Sequence, residues 1–570
     1  MEHDKLERAR KELHISFGGS LDDDLLEQCA EICKNNNMSG DDLFYKWEAI
    51  KYNTAPRVFD KDSIHAIKEQ LEREAAKTKA QKVKSKGNLG GILSRNIASL
   101  GRPGLRNDVS LRAVRLPEAS AKSESKGAAD YKKVSFTRRN ASLPTKYRYM
   151  YEKIVDRSEA LDDRIDQFAD IVQRHYAISD LGDPAVPTQE EVTVVGRITF
   201  DSDSSPIEAV KLNEATLTLE SSRAMGSGAR IPLRFDPEVK VRAARKGRGG
   251  MGLFPGAIVA LRGRNGGGGW FLVSEVLTLP PIGSQEPRAL ADEPFSMCIA
   301  SAPFTSDLDL RYEPWQAALR TISTERPDVV LLIGPFIDST HECIGNGDTD
   351  DTPTEMFNKV FLDPLRDFLD SNPGAIALLV PNVKDLLSTH AVFPQDAFES
   401  SLVNDPRIQL LPNPCHFVLN GVVFAVSSVD VLFHLRKEEY FIPMSEWHSV
   451  TPDTHEVSAD DVMAGLCCHV LEQRSFYPIF PVPHNLSHDV NMDISHFGAL
   501  TLDSDPDGQE SLSVLVLPSR LKQFSKVIQH TTVVNPSYTS KGIIAALKFE
   551  TDIANLDMHN QLQVELLRCS

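Results

Sequence analysis

A chain of 570 residues with a formal net charge of −18 is too long for one hydrophobic core. It is also too acidic to coat nucleic acid, whose phosphates are held by an excess of Lys and Arg. Its 41% hydrophobic and 25% charged residues are ordinary for a globular protein, the apolar runs are of strand length so that none spans a membrane, and the charged first thirty residues exclude a secretory signal. The eight cysteines are scattered without a C-x-x-C pair, which fits buried free thiols in a reducing compartment rather than a disulfide framework or zinc site.

In chain order, residues 1–80 read as a small all-α N-terminal module. Leu6, Ala9 and Leu13 repeat at helical spacing, as do Leu25, Cys29 and Ile32, then Leu43, Trp47 and Ile50, with Ser20 and Ser39 as helix starts. Residues 81–146 read as a flexible basic linker. From 77 to 146 there are 17 Lys and Arg against 4 Asp and Glu, and large apolar residues are too few to bury a core. Clusters such as Lys82-Val83-Lys84-Ser85-Lys86 and Arg138-Arg139 suit nuclear import, loose phosphate contact or simple solubility, and Ser135 and Ser142 flank the second cluster as candidate phosphorylation sites. Residues 147–190 open with a lead-in helix whose stripe runs through Met150, Ile154, Leu161, Ile165, Phe168 and Ile171.

Residues 191–285 alternate in five short strands, among them Val192, Val194, Ile198 and Phe200, then Ile231, Leu233 and Phe235, and suit a β-barrel of OB type. Arg242, Arg245, Lys246 and Arg248 in a Gly-rich loop are candidate nucleic-acid contacts, but only Trp270 and Phe271 are at hand to stack bases, so a protein-binding scaffold is the better reading.

Residues 286–570 form the last domain, of α/β class. The runs FSMCIASAP (295–303), DVVLLIGPFID (328–338) and AIALLVPNVKD (375–385) are strands separated by helices carrying Trp315, Leu319 and Ile322, then Phe357, Phe361 and Leu365. Such a pattern is a mainly parallel sheet covered on both faces, with chemistry expected past the carboxyl ends of its strands. The closing strands fall near 513–517, 543–549 and 563–567. Cys467-Cys468-His469 lies on an apolar helix with one thiol buried and one partly exposed. His484, His488 and His496 with Asp489 and Asp493 have spacings that a metal could use, though in a loop.

The skeleton of this domain resembles the calcineurin-like phosphoesterases, in which corresponding strand ends read D-x-H, G-D-x-x-D, G-N-H-D and G-H-x-H and hold two metals. Here Ala300 and Ala302 stand in the first motif, Pro335 replaces the bridging Asp of the second while Asp338 remains, Val383 and Lys384 precede Asp385 in the third, and Ser519 and Leu521 occupy the fourth. Alanine, valine and leucine carry no lone pair, so an inactivated phosphoesterase with no metal, no cofactor and no catalytic residue is expected.

Arg326-Pro327-Asp328-Val329, Gly334-Pro335-Phe336-Ile337-Asp338, GVVFAVSSVDVLFHL (421–435), QRSFYPIFP (473–481), Leu517-Pro518-Ser519 and Val534-Asn535-Pro536 resemble the B subunits of the eukaryotic replicative DNA polymerases, and among them those of polymerase alpha–primase. The resemblance implies a nuclear, non-catalytic regulatory subunit that holds the zinc-bearing C-terminal domain of the polymerase alpha catalytic subunit, connects it with the primase subunits, and recruits replication factors through its N-terminal module, with mostly indirect DNA contact. A B subunit of polymerase delta or epsilon, a working metallophosphoesterase and a stand-alone single-strand-binding protein are the alternatives.

Overall fold

The structure is a computed structural model that describes residues 13, 22–36, 40, 43, 64, 68, 134–139, 153–200, 211–243, 249–280, 282, 293–448, 461–502, 512–550 and 561–569. The chain divides into two compact units, 1–122 and 123–570. In the first, one helix is described, α1 (Asp23–Asn36). Its Cys29, Ala30, Ile32 and Cys33 are buried, as are Leu13, Leu43 and Ile64. The Cys29 thiol is pushed up to about 12 by burial and by neighbouring Cys33, which suits core packing. The remaining helices expected before residue 80 lie outside the described residues.

The second unit begins where the sequence reads as linker. Residues Phe136–Arg139 form a strand, β1, antiparallel to β12 (Cys415–Leu419), with Phe136 opposite Leu419. The Ser135 N–H donates to Asn420 Oδ1 at 2.8 Å, and Phe136 leans on Phe417 with ring centroids 6.0 Å apart. Residues 134–139 are therefore fixed to a sheet edge, a correction to the flexible reading of this stretch.

The lead-in helix α2 (Ile154–Tyr176) buries Ile165, Phe168, Ala169 and Val172 against Val195, Ile258, Ala260 and Leu277 of the barrel. That barrel closes through β2 (Val192–Phe200), β3 (Leu217–Glu220), β4 (Arg230–Ala243), β6 (Ile258–Arg264) and β7 (Phe271–Leu277) in the order β4-β3-β2-β6-β7, with β4 returning to β7. Five strands in a closed antiparallel-rich ring with one parallel closure are the OB arrangement. The sequence does not foreshadow how this barrel is attached. Residues Tyr440–Pro443 (β14) pair with the short strand β5 (Gly250–Leu253), and Ser445–His448 (β15) run parallel to β4. One apolar core consequently runs from Val194 and Phe271 in the barrel to Leu432, Leu466 and Tyr477 beyond it. The two domains expected at 191–285 and 286–570 share side chains and strands.

The last domain is a sandwich of two six-stranded sheets. In the first, β11 (Ile408–Leu410), β10 (Ile376–Val380), β9 (Val329–Ile333) and β8 (Phe295–Ser301) are parallel, followed by antiparallel β19 (Ile543–Phe549) and β20 (Leu562–Arg568). The second runs β1-β12-β13-β16-β18-β17, with β13 (Val422–Val426), β16 (Val514–Val516) and β18 (Thr531–Asn535) parallel and β17 (Phe524–Ile528) closing a hairpin. The β12–β13 hairpin turns at Asn420-Gly421, both at positive φ (45° and 85°), the pairing that a two-residue hairpin loop favours.

Met297, Ile299, Leu331 and Leu378 of one sheet meet Phe417, Phe424, Val514 and Val534 of the other. Outside the first sheet, Trp315 and Ile322 of α3 (Glu313–Glu325), together with Phe361, Leu365 and Phe368, the last two on α4 (Asp363–Ser371), cover Ala300, Leu332 and Leu379. Helices α5 (Val431–Glu438) and α6 (Val462–Glu472) pack on the side of the second sheet facing the barrel. The first sheet is thus covered by helices on one face and by a second sheet on the other, which explains why its strands are apolar on both sides. Cys467 and Cys468 are both buried, not one of the two, because the middle of α6 from Ala464 to Leu471 is buried at every residue.

Candidate functional site

Past the carboxyl ends of β8, β9, β10 and β16, the positions singled out in sequence go different ways. Ala300 and Ala302 join the apolar core beneath the helices together with Phe336 and Ile337. Between them, Ser301 turns the other way and its hydroxyl donates to the Ser537 carbonyl beyond β18. Pro335 follows Gly334 through a cis bond and, with Asp338, Tyr312 and His341, borders a cleft of about 210 Å³.

Asp385 is buried and braces this turn. Its two carboxylate oxygens accept the N–H groups of Phe336 at 2.9 Å and Ile337 at 3.1 Å. A Cβ at position 334 would lie 2.6 Å from Asp385 Oδ2, so the glycine is required by the approach of the carboxylate. Burial outweighs these N–H contacts and, with nearby Asp338, pushes the Asp385 carboxyl up to about 7. Asp338 itself caps its own turn, accepting from the Thr340 N–H at 2.8 Å. Both surviving acidic residues of the motifs serve backbone geometry.

Beyond β10 the space is filled by amides and hydroxyls. Asn382 Nδ2 donates to the Ser428 carbonyl and hydroxyl, each at 3.0 Å, Ser428 N–H donates to Asn413 Oδ1 at 3.0 Å, and Gln395 Nε2 donates to the Asn382 carbonyl at 3.0 Å. Val383 turns into the core shared with the barrel, with Leu521 at its edge. Ser519 is fully buried and its N–H donates to Asn535 Oδ1 at 3.0 Å.

Lys384, at the expected histidine position, reaches Asp489 Oδ1 at 2.5 Å. Arg520 lies 3.1 Å from Asp430 and 3.6 Å from Asp489, and Tyr538 donates to Asp430 at 3.1 Å. Although burial works in the other direction, contact with His434 and Lys384 holds the Asp489 carboxyl well below the usual carboxylate range. The two carboxylates thus face lysine and arginine, the cations the chain itself supplies.

These residues do not fit the two-metal centre of the phosphoesterases, because the donors it needs are replaced by apolar side chains, amides and internal ion pairs. Among the described residues no group of three His, Cys, Asp or Glu side chains is placed to hold a metal ion. The histidine-rich loop divides: His488 and Asp489 (3.3 Å) join the Lys384 cluster, while His496 pairs with Asp493 at 3.2 Å.

On the barrel, Arg242 is engaged within the fold, 2.8 Å from Glu275 and over the Tyr176 ring, and Arg245, Lys246 and Arg248 lie outside the described residues. Phe271 is fully buried, and the half-buried Trp270 is covered by Arg234 at 3.9 Å.

Sequence reasoning missed the groups that join the parts. Arg164 of α2 is buried and donates from Nη2 to the Gln473 carbonyl at 2.6 Å. Gln473 is the C-cap of α6, where the helix dipole presents negative charge. The Gln473 side chain bonds both Ile258 N–H (2.9 Å) and Ile258 carbonyl (2.8 Å) on β6. Nothing local marks this triple junction, since Gln473 is 309 residues from Arg164.

An OB barrel joined to a two-sheet sandwich without metal donors is the architecture of the B subunits of the DNA polymerases. In keeping with it, the family model for the DNA polymerase alpha/epsilon B subunit matches residues 297–526, and that for the OB domain of the DNA polymerase alpha B subunit matches residues 158–279. The DNA polymerase alpha B subunit of Schizosaccharomyces pombe is 31% identical over 94% of this chain and 95% of its own length. The corresponding proteins of Rattus norvegicus and Caenorhabditis elegans are 29% and 22% identical, covering 70% and 93% of this chain and 61% and 91% of theirs. The chain belongs to the family of DNA polymerase alpha B subunits.

Proposed function

We propose that this accessory subunit works without catalysis of its own. It presents the fused barrel and sandwich as one preformed surface for the C-terminal, zinc-bearing domain of the polymerase alpha catalytic subunit, and through that domain connects the polymerase with the primase subunits. The observation that carries this reading is the occupation of the strand ends by Lys384 and Arg520 in ion pairs with Asp489 and Asp430, where a hydrolase of this architecture needs metal donors.

The shared core and the strands lent by the sandwich to the barrel support a rigid scaffold, since a partner then meets both domains in fixed orientation and little ordering entropy is lost on binding. The N-terminal module acts as a tethered recruiter, which raises the effective concentration of its partners. Action in the nucleus follows from the same reading.

Hydrolysis of bis-p-nitrophenyl phosphate with added Mn²⁺ tests the absence of catalysis. Turnover no faster than buffer with metal is expected. Metal-dependent turnover that saturates with substrate and is lost in Asp385→Asn would overturn the proposal.

A further inference from the structure

The charges left at the retired strand ends are arranged unequally with respect to solvent. Asp489 is mostly buried, its side chain 11% exposed, and is surrounded by Lys384, His434, Arg520 and the exposed His488. Asp430, 9% exposed, anchors the same Arg520, which keeps 42% of its own surface. Arg520 lies over the Phe433 ring at 4.2 Å, and Lys437 of α5 stands over the same ring at 4.6 Å. On the other side, Lys541 Nζ donates to the Arg520 carbonyl at 2.9 Å. Lys437 and Lys541 are both exposed. Glu438, beside Lys437 on α5, is half-buried with Lys211, His434 and Lys437 about it, and burial raises its pKa. Asp489 and Asp430 therefore lie underneath and orient Lys384 and Arg520, while Lys437 and Lys541 stand exposed beside Arg520. Their positions follow from the topology, because the segments after β10, β13, β16 and β18 carry Lys384, Lys437, Arg520 and Lys541 to the face where open α/β sheets bind ligands.

We propose that this face is a binding site for the phosphodiester backbone of a nucleic-acid strand, held by Lys384, Arg520, Lys437 and Lys541. The basis is electrostatic and local. A chain with net charge −18 repels a polyanion over most of its surface, so a local cluster of cations is where a strand can settle and release counterions. Arg520, clamped by Asp430 and stacked on Phe433, presents donors whose direction is already set, which lowers the ordering cost of a phosphate contact. His488 borders Asp489 beside Arg520, Lys437 shares the Phe433 ring with Arg520, and Lys541 meets the Arg520 carbonyl, so three further cationic side chains stand around Arg520, more than one free phosphate needs. Little is present to read bases, so binding should be indifferent to sequence. The site is separate from the barrel loops and does not depend on the scaffolding role.

The test uses the full chain and a single-stranded oligothymidylate of about 16 nucleotides. Lysine acetylation followed by mass spectrometry, with and without the strand, locates the contact even if the basic linker also binds. Lys437 and Lys541 should be protected several-fold while Lys548 is not. The double substitution Lys437→Glu with Lys541→Glu, at exposed positions that leave the melting temperature unchanged, should weaken binding about tenfold and flatten the salt dependence by about 0.7 for each phosphate contact removed. Arg320→Glu on the outer helix should do neither. Protection confined to lysines between 77 and 146 would overturn the proposal, as would equal affinity of the double variant. Equal protection of Lys437 and Lys541 by inorganic phosphate alone would also overturn it, making the site one for a small anion.

Discussion

Arg164→Met removes the guanidinium that ties the lead-in helix to both neighbours while keeping most of the apolar stem. The charged hydrogen bond to the Gln473 carbonyl at 2.6 Å contributes about 1.5–3 kcal/mol. Stacking over Phe497 at 4.0 Å and near Phe168 at 5.4 Å adds on the order of 1 kcal/mol. Leaving the C-terminal carbonyl of α6 without its donor makes the loss hard to recover. Allowing for overlap, α2 should be held about 3 kcal/mol less tightly, which is about two orders of magnitude in the opening equilibrium. Hydrogen exchange reads this directly: amides around Ile165, Phe168 and Val172 should exchange about a hundredfold faster, with those of β8–β10 unchanged. Lys at this position keeps the charge but not the planar stack and should fall between. If the Met variant protects α2 as well as the parent does, the apolar stripe alone holds the helix and the reasoning about Arg164 fails.

Asp385, with an ordinary carboxyl value of 3.8 raised to about 7 by burial, binds its proton more tightly when folded, so its contribution to stability is full below about pH 4 and is lost as pH rises toward 7. The change totals about 4 kcal/mol at about 1.4 kcal/mol per pH unit, and Asp385→Asn, which resembles the protonated form, should melt with a flatter pH profile across that window. Parallel profiles for the two proteins would place the titrating group elsewhere. Phe136→Asp sets a charge beside Phe417 and should release β1, so that limited proteolysis cuts after Arg138 and Arg139, which the parent chain protects. Equal cleavage in both would mean that the edge pairing does not restrain the linker.

Much of this architecture is written in local pattern. Alternation at Val194, Ile198, Leu219, Leu233 and Val259 marks barrel strands because each has one face in the core. The apolar runs of β8, β9 and β10 show burial on both faces, although sequence alone does not say that the second cover is a sheet. The missing ligands are legible too, since alanine or valine cannot coordinate wherever its strand places it. What was hidden rests on distant partners. β1, β14 and β15 are four residues each, too short for alternation to be distinguished from loop, and their pairing exists only because β12, β5 and β4 offer free edges. Arg164 follows Asp162 and Asp163 and reads as a solvated helix face until Gln473 is placed beneath it. Asp489 drew notice for its neighbouring histidines in the same loop, yet the partners that hold its charge, His434 and Lys384, lie far away in sequence.

The central claim, an accessory protein that binds the catalytic chain without a metal centre of its own, is tested most directly by chromatography of the full chain with the C-terminal domain of a polymerase alpha catalytic subunit. Light scattering and metal analysis are read on each peak. A one-to-one complex whose zinc belongs wholly to the partner, beside a metal-free lone chain, is the expected result. No complex, with stoichiometric metal on this chain alone, would contradict the account.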